Sequence, residues 1–210
     1  MNLRLPLFAL LVASPLAVAE AQNCVGSFAL PPAGKGNFYV AAQVDQADFA
    51  DAVGGRVGYV LSNKKTGAFG LHLGARTWTN DIDVESQYID LQFFTGFPGK
   101  SAFSRSTCLV FGLDGDVSED GNSAIDTYYA LSFGHDFVLG SVAVVPFATL
   151  GFNGYTDDFM DDYEYSGLSE LGLGLRIGSR LTATLSSRTI YSDFERTLTR
   201  LVVSYPFGAR

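Results

Sequence analysis

From residue 37 to residue 207 apolar and polar positions alternate with a period of two. In residues 68–79, Phe69, Leu71, Leu73 and Ala75 share one face; Gly70, His72, Gly74 and Arg76 share the other. In residues 168–177, Leu171, Leu173, Leu175 and Ile177 oppose Glu170, Gly172, Gly174 and Arg176. In residues 197–207, Leu201, Val203, Tyr205 and Phe207 oppose Arg200, Val202 and Ser204. Side chains of an extended chain point alternately to opposite sides, so these runs predict strands with one apolar and one polar face. The pattern predicts ten of them: 37–44, 52–61, 68–79, 88–97, 107–114, 125–139, 142–155, 168–177, 181–191 and 197–207. Residues 142–155 are apolar on both faces, which leaves that strand's register open. The count falls to eight if the segment around 98–107 is longer or irregular.

The connections between the strands sort by charge. Segments 45–51, 80–87, 115–124, 156–167 and 192–196 hold sixteen carboxylates and a single base, Arg196. The alternate segments hold Lys64, Lys65, Lys100, Arg105 and Arg180 and no acid. Up-and-down strands put alternate connections at opposite ends. One end is therefore strongly acidic and the other mildly basic, as expected of a barrel standing across a membrane. The predicted class is an all-β, antiparallel up-and-down transmembrane barrel.

Alternation alone does not say which face points outward. A soluble lipocalin-like barrel hides its apolar face and carries an apolar ligand; a membrane barrel shows that face to lipid. Three features favour lipid. The polar face is rich in glycine (Gly54, Gly58, Gly70, Gly74, Gly96, Gly112, Gly172, Gly174), which suits a crowded narrow lumen. All four lysines, Lys35, Lys64, Lys65 and Lys100, lie outside the strands. Aromatic residues of the apolar face gather toward strand ends: Tyr59, Phe97, Phe137, Tyr205 and Phe207 at the basic end, Tyr129 and Tyr191 at the acidic end. Interfacial aromatic girdles have that form.

Energetics points the same way. An arginine facing lipid at mid-depth costs roughly 2–4 kcal/mol. Arg56, Arg76, Arg176, Arg188 and Arg200 lie inside strands, all on the face opposite the apolar residues. Asp90, Asp114 and Glu170 share that face, with Asp126 near the rim and His72 placed to hydrogen-bond Asp90 or Glu170. The expectation is an occluded lumen filled by ion pairs.

The N-terminus reads as a secretory signal peptide, residues 1–21. Arg4 gives the positive start, residues 5–18 are apolar, and Ala17-Val18-Ala19 and Ala19-Glu20-Ala21 are small-x-small cleavage motifs. Residues 22–36 form an N-terminal arm and residues 37–210 the barrel. Export favours disulfides, so Cys24 and Cys108 are a candidate pair that would draw the arm to the barrel mouth. The net charge of −8 disfavours nucleic acid as a partner.

With Gly54-Gly55-Arg56-Val57-Gly58-Tyr59, Gly70-Leu71-His72-Leu73-Gly74-Ala75-Arg76, Leu171-Gly172-Leu173-Gly174-Leu175-Arg176 and Val203-Ser204-Tyr205-Pro206-Phe207, the chain resembles the small bacterial outer-membrane β-barrel proteins, porin-like and opacity-type barrels included. The resemblance covers nearly everything after the signal. It implies residence in the outer membrane, contact with outer-membrane lipid, and recognition of the last strand by the barrel-assembly machinery. The chain departs from that terminal pattern, because Gly208-Ala209-Arg210 follow Phe207.

Some barrels of this kind are enzymes acting on lipid or peptide at the rim. Asp81 and Asp83 invite comparison with omptin-type proteases, but His135-Asp136 falls near the opposite end and His72 lies mid-strand. The His-x-Ser spacing of lipid A deacylases does not occur, and no His falls at the rim as in the palmitoyl-transferring barrels. The expectation is a non-enzymatic protein with a membrane-structural, surface-interaction or narrow-channel role. Its remaining candidate site is Asp157, Asp158, Asp161, Asp162 and Glu164, whose oxygens suit Ca²⁺ or Mg²⁺ and could bridge to lipopolysaccharide. No zinc-ligand spacing is present.

Overall fold

The computed structural model describes residues 36–48, 50–63, 67–80, 85–97, 107–116, 124–157, 163–178, 181–192 and 195–207. The strands are β1 Gly36–Ala47, β2 Ala50–Asn63, β3 Gly67–Asn80, β4 Glu85–Gly96, β5 Thr107–Asp116, β6 Ala124–Gly134, β7 Phe137–Leu139, β8 Val142–Asp157, β9 Glu164–Ile177, β10 Leu181–Tyr191 and β11 Arg196–Phe207. All neighbours pair antiparallel. The order runs from β6 back to β1, then through β11, β10 and β9 to β8, and the β6–β8 pairing closes the ring. β6 and β7 occupy one place in the wall, so the barrel has ten staves, as the alternation predicts. Closure leaves no strand edge with unpaired amides, which a bilayer requires.

One predicted strand, 125–139, is interrupted. Gly134 pairs with Phe147 and Phe137 with Val144, so the register runs unshifted through the gap. That register sets His135 opposite Pro146. Proline has no N–H to give the ladder, and only the bond from His135 N to Pro146 O remains, at 3.2 Å. Asp136 still points inward and is buried.

The ends differ in how the chain turns. β7 and β8 join through Gly140 and Ser141, and the β9–β10 connection begins at Gly178; both glycines have positive φ, 63° and 59°. That region suits glycine and the tight hairpins of this end. Gly178 N donates to Ser141 O at 2.7 Å and ties the two turns together.

The two faces of the wall are chemically inverted relative to a soluble protein. Val53, Phe152 and Leu171 stand outward, each about two-thirds exposed (67%, 65%, 67%). Arg56, Asp90, Glu170, Arg188 and Arg200 point inward and are buried. Pairing also settles β8, whose two faces were indistinguishable in sequence. Ala143, Val145, Phe147 and Thr149 point inward; Leu150 and Phe152 point outward.

Glycine makes the narrow lumen possible. A Cβ added at Gly70 would collide with the Phe94 ring, at Gly112 with Tyr128, at Gly58 with Tyr39 and at Gly172 with Phe147. Each large inward ring thus lies over a neighbouring position that has no side chain. The half of the lumen toward the Gly140 and Gly178 turns (the inner end, the acidic end being the outer) is filled by Tyr39, Val60, Ala68, Phe94, Cys108 and Val110 in one cluster, with Val145 and Phe147 in another.

Candidate functional site

The interior polar groups form chains of ion pairs, most of them toward the end where the acidic connections lie. Asp45 is fully buried at the centre. Arg200 donates to it through both Nε (2.8 Å) and Nη2 (3.1 Å), and Arg76 Nη1 lies 3.4 Å from the same carboxylate. Arg76 also donates to Asp114 at 2.6 Å. Arg188 donates through Nε (3.2 Å) and Nη2 (2.9 Å) to Glu170 Oε2. Deeper in, Arg56 pairs with Asp90 at 3.3 Å, and His72 Nε2 is 3.3 Å from the same Asp90. Nearest the inner mouth, Arg176 donates to Asp136 at 2.7 Å. Buried charges are tolerated when each is paired and hydrogen-bonded, and here Arg56, Arg76, Arg176, Arg188 and Arg200 each meet a carboxylate.

All the residues expected in the lumen network from the sequence face inward: Arg56, His72, Arg76, Asp90, Asp114, Glu170, Arg176, Arg188 and Arg200. His72 meets Asp90, the first of its two expected partners. Two members are new. Asp45 was counted among the acidic connections, but β1 continues to Ala47 and carries Asp45 inside. Asp136 follows the interruption at His135, yet keeps the inward parity of Tyr128, Ala130 and Ser132. Asp126 faces the lumen near the outer end, where Asn153 Nδ2 donates to it at 3.1 Å.

Above this network the lumen widens into a vestibule of about 300 Å³. Its walls carry Trp78, Tyr88, Tyr128 and Tyr155 together with Arg76, Arg188, Arg196, Arg200, Asp114, Asp126 and Asn153. Guanidinium and ring are interleaved. Arg188 lies 4.8 Å from the Tyr128 ring centre, Arg196 5.7 Å from Tyr155, and Arg76 5.8 and 5.9 Å from Trp78 and Tyr88. Stacking of this kind fixes long arginine side chains at small entropic cost. Gln92 donates to Tyr128 Oη from below and helps anchor the vestibule floor.

The outward face has its own order. Phe38 contacts Tyr59 (4.9 Å between ring centres) and Phe207 (6.2 Å), and a second line runs Phe69, Phe93, Phe111, Tyr129 at 5.1, 6.0 and 5.6 Å. Tyr129 therefore belongs to a ribbon climbing the wall as well as to the acidic end. Near that end Ser169 and Tyr191 share a hydrogen bond of 2.9 Å, and Thr127 bonds Tyr163.

The other candidates are only partly in view. Of the acidic loop, Glu164 opens β9 and is exposed, and Asp157 ends β8; Asp158, Asp161 and Asp162 lie outside the described residues. Among the described residues no group of three or more His, Cys, Asp or Glu is placed to hold a metal ion. Cys108 is fully buried, faces the lumen and is disulfide-bonded. Cys24, the signal segment 1–21, the lysines and the Asp81/Asp83 pair lie outside the described residues. His135 points outward beside Phe137 at the inner end.

No protein-family model matches the chain, and no curated protein sequence matches it. Among solved structures, the β-domain of the Bordetella autotransporter BrkA is similar over 83% of this chain and 99% of that domain, with 13% identity and a TM-score of 0.46. The N-terminal β-barrel domain of Pseudomonas aeruginosa OprF is similar over 82% of this chain and all of that domain (100%), with 13% identity and a TM-score of 0.37. The barrel stands on its own strand pairing.

Proposed function

We propose that this protein is an outer-membrane β-barrel, exported by residues 1–21, with its acidic connections facing outward and its lumen occluded. Its role is non-enzymatic: it stabilises the membrane and presents a surface for interaction. One observation carries this reading. The large apolar side chains stand exposed on the outside of the wall, while arginines and carboxylates are buried within it. In water the exposed band would be a very large apolar patch; in a bilayer it is the matched surface. An apolar-ligand carrier is disfavoured by the same inversion, since the interior of the outer half is lined with charged groups.

The narrow-channel version of this role is disfavoured by the filled inner half, where Tyr39, Phe94 and Val145 are almost completely buried. An enzymatic role at the rim is disfavoured by the histidines, His72 being buried on Asp90 and His135 lying at the other end. Cation bridging to lipopolysaccharide by Asp157, Asp158, Asp161, Asp162 and Glu164 fits the charge of that loop and belongs to the surface-interaction part of the proposal. Fractionation tests the whole. The protein is expected with outer membranes, showing heat-modifiable gel mobility and no conductance above baseline in planar bilayers. Recovery as a freely soluble periplasmic protein would overturn the proposal.

A further inference from the structure

We infer that the vestibule at the acidic end is a binding site for a neutral, hydroxyl-rich ring, a mono- or disaccharide. The inference rests on the fold and the cavity alone, so it survives or fails independently of where the barrel resides.

Size comes first. About 300 Å³ is at the lower end of ligand pockets and fits one or two sugar rings. Charge then selects the ligand. On the floor the charges are already matched, Arg200 and Arg76 by Asp45 and Asp114, Arg188 by Glu170, so a cation or an anion gives up hydration there without gaining a free counter-charge. An anion must also pass connections that carry most of the chain's carboxylates. A neutral ligand meets neither penalty.

The walls supply what such a ligand uses. Trp78, Tyr88, Tyr128 and Tyr155 present ring surface for the C–H face of a pyranose, held rigid by the stacked arginines. Asp126, oriented by Asn153 at 3.1 Å, offers acceptor oxygens on one wall, and Arg196 offers donors on another. Convergent polar groups among aromatic walls give orientation and specificity. Vicinal hydroxyls, each both donor and acceptor, match this mixture.

Trp78 is the only tryptophan in the chain, so the cavity carries its own reporter. The folded full-length protein in detergent is titrated with glucose, galactose, N-acetylglucosamine and maltose, and in parallel with glucuronate and choline. The expected result is a saturable change in Trp78 fluorescence with at least one neutral sugar, stronger than with glucuronate or choline. Asp126→Ala and Asn153→Ala, each checked for folding by heat-modifiable mobility, should weaken binding about tenfold or more. Asp136→Asn, at the far end of the lumen, should leave it unchanged. No saturable response to any neutral sugar, preference for glucuronate or choline, or binding indifferent to both vestibule variants would overturn the inference.

Discussion

The two halves of the lumen solve the problem of a narrow interior in opposite ways. Toward the acidic end, charge is used and matched: Asp45, Arg76, Arg200, Asp114, Arg188 and Glu170 interlock beneath an open vestibule. Toward the other end, volume is used: Tyr39, Phe94, Val145 and Phe147 fill the space, the three rings resting on glycines. The difference teaches that polarity and closure are separate properties. A barrel can be polar inside and still be sealed, provided one half contributes bulk and the other contributes paired charge.

The comparison is broken most forcefully at Asp45. Asp45→Ala leaves Arg200 without its bidentate acceptor and takes one of two carboxylates from Arg76. Removing one partner of a buried pair costs about 3–5 kcal/mol, to be read from urea unfolding of the barrel in detergent or vesicles. A loss below about 1 kcal/mol would mean that the outer half is not held by its ion pairs. In the inner half, Phe94→Ala removes a ring rather than a charge. It should cost about 3 kcal/mol, with little change of that cost on adding salt. A cost that falls steeply with salt would place electrostatics where the account places packing.

A third change tests the wall from outside. Leu173→Arg puts a guanidinium on the outward face and should cost roughly 2–4 kcal/mol at mid-depth, whereas arginines on the inward face are native. Refolding yield into vesicles checks it, and full tolerance would reverse the assigned faces. The smallest effect is expected at Asp136→Asn, because Arg176 at that rim is partly exposed, with 14% of its side chain open to solvent. The amide keeps an acceptor oxygen toward Arg176, so the loss is on the scale of one hydrogen bond to a charged group, about 1.5–3 kcal/mol. A penalty as large as that of Asp45→Ala would remove the contrast between rim and centre.

Much of this was legible in the alternation of the chain. Parity assigned Arg56, Arg76, Arg176, Arg188 and Arg200 to the lumen because each sits an odd number of residues from its apolar neighbours. Asp45 escaped because Asp48 and Asp51 follow closely and the three together read as a loop. Yet Gln43 and Tyr39 carry the inward parity that includes it. Asp136 escaped because it sits near the end of its predicted strand beside His135, although it shares the parity of Asp126. The choice of partners among the arginines was not legible. Arg76 reaches Asp45 across an intervening strand, and Arg176 reaches Asp136 across β8. Such contacts depend on barrel curvature, which no local pattern encodes. The vestibule depended on it too, since its rings and bases come from most of the staves at once.

Protease treatment of intact cells tests the central claim most directly, that the barrel spans the outer membrane with its acidic connections outside. Cleavage should occur within residues 156–167 on whole cells, leaving two fragments that stay associated in the outer-membrane fraction. Protection of that segment until the envelope is opened, with cleavage then at the short basic connections and the acidic ones alike, would contradict the account.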